Sequence, residues 1–226
     1  LSSTSPLFDP LHYNNGAVWP FVTGWVATAQ FRYGNPHAGW QALRAIANTT
    51  FDESRGRNPE VISGRVYKPL DTAVPQQFFA TSMILTPLLR GMMGIEVDAP
   101  AGTLTVAPWM PLGETGVRVE RLWIGRTQVD LSVTMGRGDV QLQLTRVAGD
   151  SGRMIGVTFN PAAGTRAVFG ELRAGQRSLQ LSAPRSDAPE VRFPERAARV
   201  GDRSRAVRVV SLRTGDGKLR LTIEAL

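Results

Sequence analysis

The stretch that decides the fold of this chain reads VRVERLWIGRTQVDLSVTMGRGDVQLQL and covers residues 117–144. Apolar and polar residues alternate along it, most regularly in TQVDLSV at 127–133, and glycine-containing turns interrupt it at Gly125 and at 136–138. Alternation with a period of two residues is typical of a strand that buries one face. The stretch therefore predicts three consecutive antiparallel strands joined by short turns.

Short runs of the same kind occur on both sides of this stretch. Further strands are predicted at residues 103–106, 155–159, 166–169, 178–181, 207–212 and 219–223. Strands at intervals of about 8–12 residues, separated by turn-forming residues, are typical of an antiparallel β-sandwich. We assign residues 95–226 to such a domain, with residues 184–205, which are rich in proline, arginine and aspartate, as an exposed loop.

Residues 1–94 have a different, helical pattern. Three helices are predicted, at 17–33, 36–49 and 75–93, and Pro87 predicts a kink or break within the third. The first helix carries an apolar stripe at helical spacing, formed by Val18, Phe21, Val22, Trp25, Val26 and Ala29. The third is apolar nearly all round, so it must be buried between neighbours. Three helices do not suffice for that burial, and we expect further helices upstream in a longer polypeptide.

Composition excludes several classes of protein. The 226 residues are 42% hydrophobic, which is enough for a folded core, and no apolar run reaches the roughly 18 residues of a membrane-spanning helix. Cysteine is absent, which excludes disulfides and thiolate chemistry and fits either the cytoplasm or the periplasm. His12 and His37 are the only histidines, so a multi-histidine metal centre is not expected. We expect neither a metal nor an organic cofactor.

The basic charge does not point to nucleic acid. The net charge is +7, and all but two of the 26 basic residues are arginine. These arginines are spread along the second part of the chain, whereas nucleic-acid-binding proteins usually cluster basic residues and interleave them with aromatic ones. A solvated surface is the simpler interpretation of the excess charge.

Candidate chemistry begins in the long irregular segment 50–74. Segments of this length inside compact domains are uncommon and are frequently functional. The run NPEVISG at 58–64 places Glu60 between a proline and β-branched residues. A carboxylate buried there could act as a general acid or base, although a surface glutamate gives the same pattern. The neighbouring pair Asp52-Glu53 favours a solvated turn.

A second candidate is the run NNGAVWP at 14–20, which combines amides, backbone N–H groups and an indole. Sugar sites use this mixture, because aromatic faces stack on pyranose C–H groups and amides bond to hydroxyls. The alternative is that Asn15 is an ordinary N-cap and Trp19 a packed core residue. Gln77 and Phe79, at the start of the third helix, fit either a substrate rim or an entry into the core.

These short motifs occur together in one order, and the composite resembles a known family. They are NGAVWP at 15–20, GW at 24–25, RYG at 32–34, PE at 59–60, QFF at 77–79 and TPLLRG at 86–91. Their order resembles the C-terminal part of an (α/α)6-barrel glycoside hydrolase. The similar groups are the glycogen-debranching amylo-α-1,6-glucosidases, α-glucosidase I and the mannosylglycerate hydrolases. The resemblance covers residues 12–110, and it implies an α+β chain in which terminal barrel helices precede the β-sandwich.

The resemblance also implies roles for single residues. Glu60 stands where the family has its general base, and Trp19 stands where an aromatic residue lines the sugar site, with Asn15 beside it. Gln77 matches the glutamine that opens the last long helix, and Phe79 stands where tryptophan is common. The general acid of the family comes from a barrel loop upstream of these residues.

The implied function is inverting hydrolysis of α-glucosidic or related linkages in an oligosaccharide or polysaccharide. This function requires the upstream barrel helices of the same polypeptide, and neither nucleic acid nor a membrane is an expected partner. The first residue, Leu1, is consistent with a removed leader or with a longer polypeptide. The alternative function is that of a non-catalytic β-sandwich module that binds carbohydrate or serves domain packing.

Overall fold

The computed structural model describes residues 4–52, 54–111, 113–161, 166–185, 199–203 and 207–225. Within these ranges the chain has three α-helices and ten strands in mainly antiparallel sheets, which confirms the predicted α+β class. The chain divides into two compact units, one formed by Leu1–Gly91 with Val191–Leu226 and the other by Met92–Glu190. None of the described helices has the length and hydropathy needed to cross a membrane.

The helices of the first unit are shorter than the sequence predicts. They are α1 (Pro20–Arg32), α2 (Pro36–Asn48), a 3-10 turn (Thr49–Phe51) and α3 (Phe78–Thr86). Both α1 and α2 begin with proline, whose missing N–H costs nothing at a helix start. The predicted break at Pro87 lies where α3 ends, and the chain continues as a π-helical segment, Pro87–Met92. The helix predicted over 75–93 therefore begins later, at Phe78, and is interrupted at the predicted position.

The predicted apolar stripe of α1 is largely exposed. Val22 and Trp25 are each 51% exposed, and the buried positions are instead small residues, among them Gly24 and Ala27. A Cβ added at Gly24 would lie 2.6 Å from the main-chain oxygen of Met83 in α3. The two helices approach so closely that only a glycine fits between them. This close approach buries the small face of α1 and leaves its large apolar side chains outside.

The C-terminal hairpin belongs to the helical unit. Strand β9 (Val207–Gly215) pairs antiparallel with β10 (Lys218–Ala225) through a turn in which Asp216 and Gly217 both have positive φ. The side-chain oxygen of Gln41 in α2 accepts a hydrogen bond from the Val209 N–H at 3.1 Å. The compositional boundary near residue 94 thus lies close to the junction of the two units, but the hairpin groups with the helices. Most of the predicted loop at 184–205 lies outside the described residues.

The second unit contains two four-stranded sheets. One has the strand order β1-β2-β6-β7 and the other β3-β4-β5-β8. Their bounds are β1 (Glu96–Asp98), β2 (Thr103–Val106), β3 (Gly116–Ile124), β4 (Thr127–Met135), β5 (Asp139–Gly149), β6 (Ile155–Phe159), β7 (Val168–Leu172) and β8 (Ser178–Pro184). Pairing is antiparallel except between β2 and β6, which run parallel. The expectation of a purely antiparallel domain is corrected by that one pair, and β1 was not predicted.

Each sheet buries alternate side chains, which is the pattern of a β-sandwich. On β4, Val129, Leu131 and Val133 are buried while the residues between them are half-exposed. The first sheet contributes Leu104 and Phe159, both fully buried. Each such side chain contributes about 1.5–3 kcal/mol of hydrophobic stabilisation. The alternating apolar residues of the two sheets therefore supply the core of this unit.

Candidate functional site

Main-chain pairing positions Glu60 beside the start of α1. The N–H of Val18 donates to the Ile62 carbonyl and the N–H of Ile62 donates to the Val18 carbonyl, both at 2.8 Å. The two segments run antiparallel at this bridge. Residues that follow Val18 therefore run alongside residues that precede Ile62, and this places the Trp19 end of α1 next to Glu60.

Asn58 fixes the same segment to the helices behind it. Its side chain is fully buried, and the amide nitrogen donates to the carbonyl of Ile46 at 3.0 Å and to the Thr49 hydroxyl at 2.6 Å. Its main-chain oxygen accepts from the N–H of Gln77 at 2.9 Å. Asn58 therefore connects α2 with the residue that caps α3, and Glu60 follows two residues later.

The Glu60 carboxylate is buried and accepts hydrogen bonds from three groups. Only 8% of the residue is exposed. Oε2 accepts from the N–H of Val74 at 3.3 Å, Oε1 accepts from the side-chain amide of Gln77 at 3.5 Å, and the Tyr13 hydroxyl donates the third bond. The Glu60 N–H in turn donates to the Val74 carbonyl at 2.9 Å. Glu60 therefore joins its own segment to Tyr13, before α1, and to residues 74–77, which lead into α3.

These donors keep the carboxylate ionised. The hydrogen bond from Tyr13 lowers the pKa of Glu60 below its ordinary value of 4.5, assisted by Val74 and Gln77, although burial alone would raise it. The same bond raises the pKa of the Tyr13 hydroxyl, so the phenol stays protonated and keeps donating. At neutral pH the cluster therefore holds a negative charge in a mostly enclosed place.

An aromatic pair lies next to the carboxylate. The rings of Tyr13 and Trp19 meet edge to face, with centroids 4.8 Å apart and planes at 81°. The indole nitrogen of Trp19 donates to the Tyr13 carbonyl at 3.1 Å. Because that donor is already used, Trp19 can offer a ligand its ring face but not its N–H.

The other predicted site residues are placed less directly. Asn15 is not the N-cap of α1, because that position is taken by Trp19, and its own side chain has no hydrogen-bond partner among the described residues. Phe79 packs edge to face on Phe21, with centroids 5.1 Å apart. Gln77, the N-cap residue of α3, is the predicted rim residue that directly contacts Glu60.

The remaining polar candidates lie outside this cluster. Asp52 accepts a hydrogen bond from the Tyr67 hydroxyl at 2.6 Å, and Glu53 lies outside the described residues. The Nδ1 of His12 accepts from the N–H of Asn14, and burial lowers the pKa of His37.

A small half-open pocket is lined by Thr49, Asp52, Pro59, Ile62, Tyr67, Lys68, Pro69 and Val200. Glu60 is not among the residues that line it.

Tyr13 is the site residue that sequence reasoning missed. It directly precedes the NNG turn that was singled out for its amides. An aromatic residue at the edge of a candidate sugar-binding turn was the available signal. Its contact with Glu60, 47 positions further along, depends on the bridge between Val18 and Ile62 and is not readable from local pattern.

We expect Tyr13→Phe to raise the pKa of Glu60 towards its ordinary value. The substitution removes the hydroxyl donor that is the main cause of the low pKa, while the ring that packs on Trp19 remains. The measurement is a pH titration of the Glu60 side-chain carboxyl carbon by NMR. Tyr33→Phe is the matched control, because Tyr33 is 85% exposed at the end of α1. An unchanged Glu60 titration in Tyr13→Phe would contradict the assigned hydrogen bond.

The part of the chain that the structure describes has no group of three or more histidine, aspartate and glutamate side chains that could hold a metal ion. No protein-family model matches the chain, and no curated protein is significantly similar to it in sequence.

Proposed function

We propose that this chain is the C-terminal portion of an (α/α)6-barrel glycoside hydrolase that cleaves α-glucosidic or related linkages with inversion. The observation that carries the proposal is the Glu60 carboxylate, which is buried, ionised and adjacent to the Tyr13–Trp19 aromatic pair. The sequence resemblance to the family gives the same residue the role of general base. The chain alone would be inactive, because the general acid of the family lies upstream.

The hydrogen bonds to Glu60 leave one acceptor position of the carboxylate for a water. An ionised carboxylate offers about four acceptor positions, and Tyr13, Val74 and Gln77 occupy three of them. In the proposed step Glu60 takes a proton from a water at the fourth position as the water oxygen attacks the anomeric carbon. The glycosidic bond breaks and the leaving oxygen takes a proton from the upstream acid. The lowered pKa keeps the base in its proton-accepting form at neutral pH.

The outer surface of the helical unit supports the proposed continuation into further barrel helices. Five large apolar side chains are exposed on α1 and α3, namely Val22, Trp25, Val26, Phe78 and Leu85. The described part of α3 has no charged residue, and Arg32 is the one charged residue of α1. Large apolar side chains exposed together mark interaction surfaces when they form a contiguous patch. Neighbouring helices of the same polypeptide would cover this one.

The test is the stereochemistry of hydrolysis by the longer polypeptide that we propose. Maltose, isomaltose and α-mannosylglycerate are offered separately, and proton NMR records which anomer of the sugar appears first. We expect the β-anomer from an α-linked substrate, because water attacks opposite the leaving group. Release of the α-anomer would show a retaining enzyme and overturn the role of Glu60 as the base. Absence of hydrolysis of all three would overturn the proposed substrate class.

A second candidate is a purely structural role for Glu60 in a non-catalytic module. The observation that favours it is that the carboxylate ties its own segment to two others, through Tyr13 and through the pair Val74 and Gln77. Under this alternative, replacing Glu60 lowers the free energy of unfolding and changes nothing else. The catalytic proposal requires a loss of turnover that is much larger than the loss of folded protein.

A further inference from the structure

The sheet with the order β3-β4-β5-β8 has a group of uncharged polar side chains at the centre of its outward face. Strands β4, β5 and β8 align their outward side chains in two central cross-strand rows. We call these six residues the amide face, and they are Ser132, Gln143 and Gln180 in one row and Thr134, Gln141 and Ser182 in the next. None of the six is charged, although 20% of the chain is.

The charged side chains that border the amide face are each held by hydrogen bonds or an ion pair. Asp130, one row away on β4, accepts from the Arg118 guanidinium at 2.9 Å and from the Arg121 N–H at 2.9 Å. Asp139, at the other end, accepts from Gln141 and from Ser182, both at 2.9 Å. Arg118 of β3 lies beside Ser132 and is ion-paired with Asp130, and the Asp139 carboxylate stays ionised because its donors are neutral. A ligand lying across the six residues would therefore meet uncharged hydrogen-bonding groups, with these two charged side chains at the border.

Part of the face is held in a fixed orientation and part is unused. The side-chain amide of Gln180 donates to the Gln141 oxygen at 3.3 Å, and Gln141 donates onward to Asp139. This chain of bonds orients the amides before any ligand arrives. Within the described residues, the side chains of Gln143 and Ser132 have no hydrogen-bond partner. Both donors and acceptors are thus available at the centre of the face.

An exposed aromatic residue lies at the end of the same surface. Trp123 is 55% exposed on β3 and pairs with Gln128 of β4. Gln128 precedes Ser132 by four residues, which corresponds to roughly 13 Å along a strand. A row across three strands adds about 10 Å in the perpendicular direction. The surface is therefore long enough for several sugar rings, with the indole at one end.

We propose that the amide face binds a neutral glycan chain. Amides and hydroxyls match the donors and acceptors of sugar hydroxyls, and the indole of Trp123 can stack on the C–H face of a sugar ring. A nucleic acid or an acidic membrane surface would require free arginine or lysine side chains on the face. A stable protein partner would require an apolar centre, which six polar side chains do not provide. The site does not involve Glu60 and does not depend on the function proposed for it.

The test uses the 226-residue chain and two-dimensional NMR of the glutamine side-chain amides. Maltoheptaose, cellohexaose and mannohexaose are titrated in turn, with heparin as the acidic comparison. We expect one of the neutral glycans to shift the signals of Gln143 and Gln180, with heparin leaving them unchanged. No shift with any neutral glycan overturns the proposal. Shifts that depend on protein concentration without sugar would assign the face to a second copy of the chain and would also overturn it.

Substitutions on the amide face and elsewhere test whether the glycan binds at this face. The double variant Gln143→Ala/Gln180→Ala should weaken binding about tenfold, because it removes two amides whose net hydrogen bonds are each modest. Gln143→Glu keeps the length of the side chain but replaces the amide N–H donors by a charged acceptor, so it should also weaken binding. Gln30→Ala in α1 is the matched control and should bind normally. Equal binding by all variants would overturn the proposal, whereas normal binding by Glu60→Gln would show that the two sites are independent.

Discussion

In the longer polypeptide that we propose, replacing Glu60 by glutamine should lower the turnover of an α-glucoside about 10²–10⁴-fold, the usual contribution of a general base. The amide has nearly the shape of the carboxylate, but it cannot accept a proton from the attacking water. Substrate affinity should change little, because the sugar contacts assigned to Trp19 and Gln77 remain. The measurement is steady-state hydrolysis with kcat and KM determined separately.

The matched control is Glu171→Gln on β7. The Glu171 side chain is 52% exposed in the sandwich unit, so the substitution makes the same chemical change away from the site. This variant should retain normal turnover. Near-normal turnover by Glu60→Gln itself would remove Glu60 from the mechanism, whatever its burial.

The difference in stability between the wild type and Glu60→Gln should depend on pH. Because the folded state lowers the pKa of Glu60 below its ordinary 4.5, the ionised carboxylate stabilises the fold above that value. This contribution is lost as the pH falls through the lower, folded-state pKa. The difference in free energy of unfolding between the wild type and Glu60→Gln should therefore be largest at neutral pH and shrink in acid. Urea unfolding at neutral and at acidic pH measures this difference in free energy. A difference that grows in acid would contradict the lowered pKa of Glu60.

The candidate site was partly predictable from sequence. Glu60 was identified because an irregular segment of this length is uncommon and because proline and β-branched residues flank the carboxylate. The donors could not be identified in the same way. Tyr13 comes from one segment and Val74 and Gln77 from another, and tertiary pairing such as the bridge between Val18 and Ile62 brings them to Glu60. Local pattern carries no information about such pairings.

The strands were easier to predict than the helix packing. Period-two alternation correctly located β2 and β6 to the residue, because each buries alternate side chains. On α1, apolar spacing identified a stripe, but its member Trp25 is 51% exposed. The core contact is made by Gly24 instead, since Met83 approaches its backbone too closely for a side chain. Hydrophobicity alone does not identify a face that is buried because it is small.

Replacing Gly64 by alanine should lower both stability and turnover. A Cβ at Gly64 would overlap the carbonyl oxygen of Gly16, so one of the two backbone segments must move. Overpacking of this kind costs about 1–3 kcal/mol, which lowers the melting temperature by roughly 2–4 °C per kcal/mol in a chain of this size. Thermal unfolding followed by circular dichroism measures the loss.

The effect of Gly64→Ala on turnover follows from where the clash lies. Gly64 is two residues beyond Ile62, and Gly16 is two residues before Val18, so the overlap pushes apart the bridge that positions Glu60. A displacement of about 1 Å at a catalytic group can cost about 10²-fold in rate. Gly215→Ala is the control, because a Cβ at Gly215 meets nothing within 4 Å, and that variant should be unchanged or slightly more stable. If Gly64→Ala loses stability but keeps full turnover of the folded fraction, the bridge does not position the base, and Glu60 is held by its three hydrogen bonds alone.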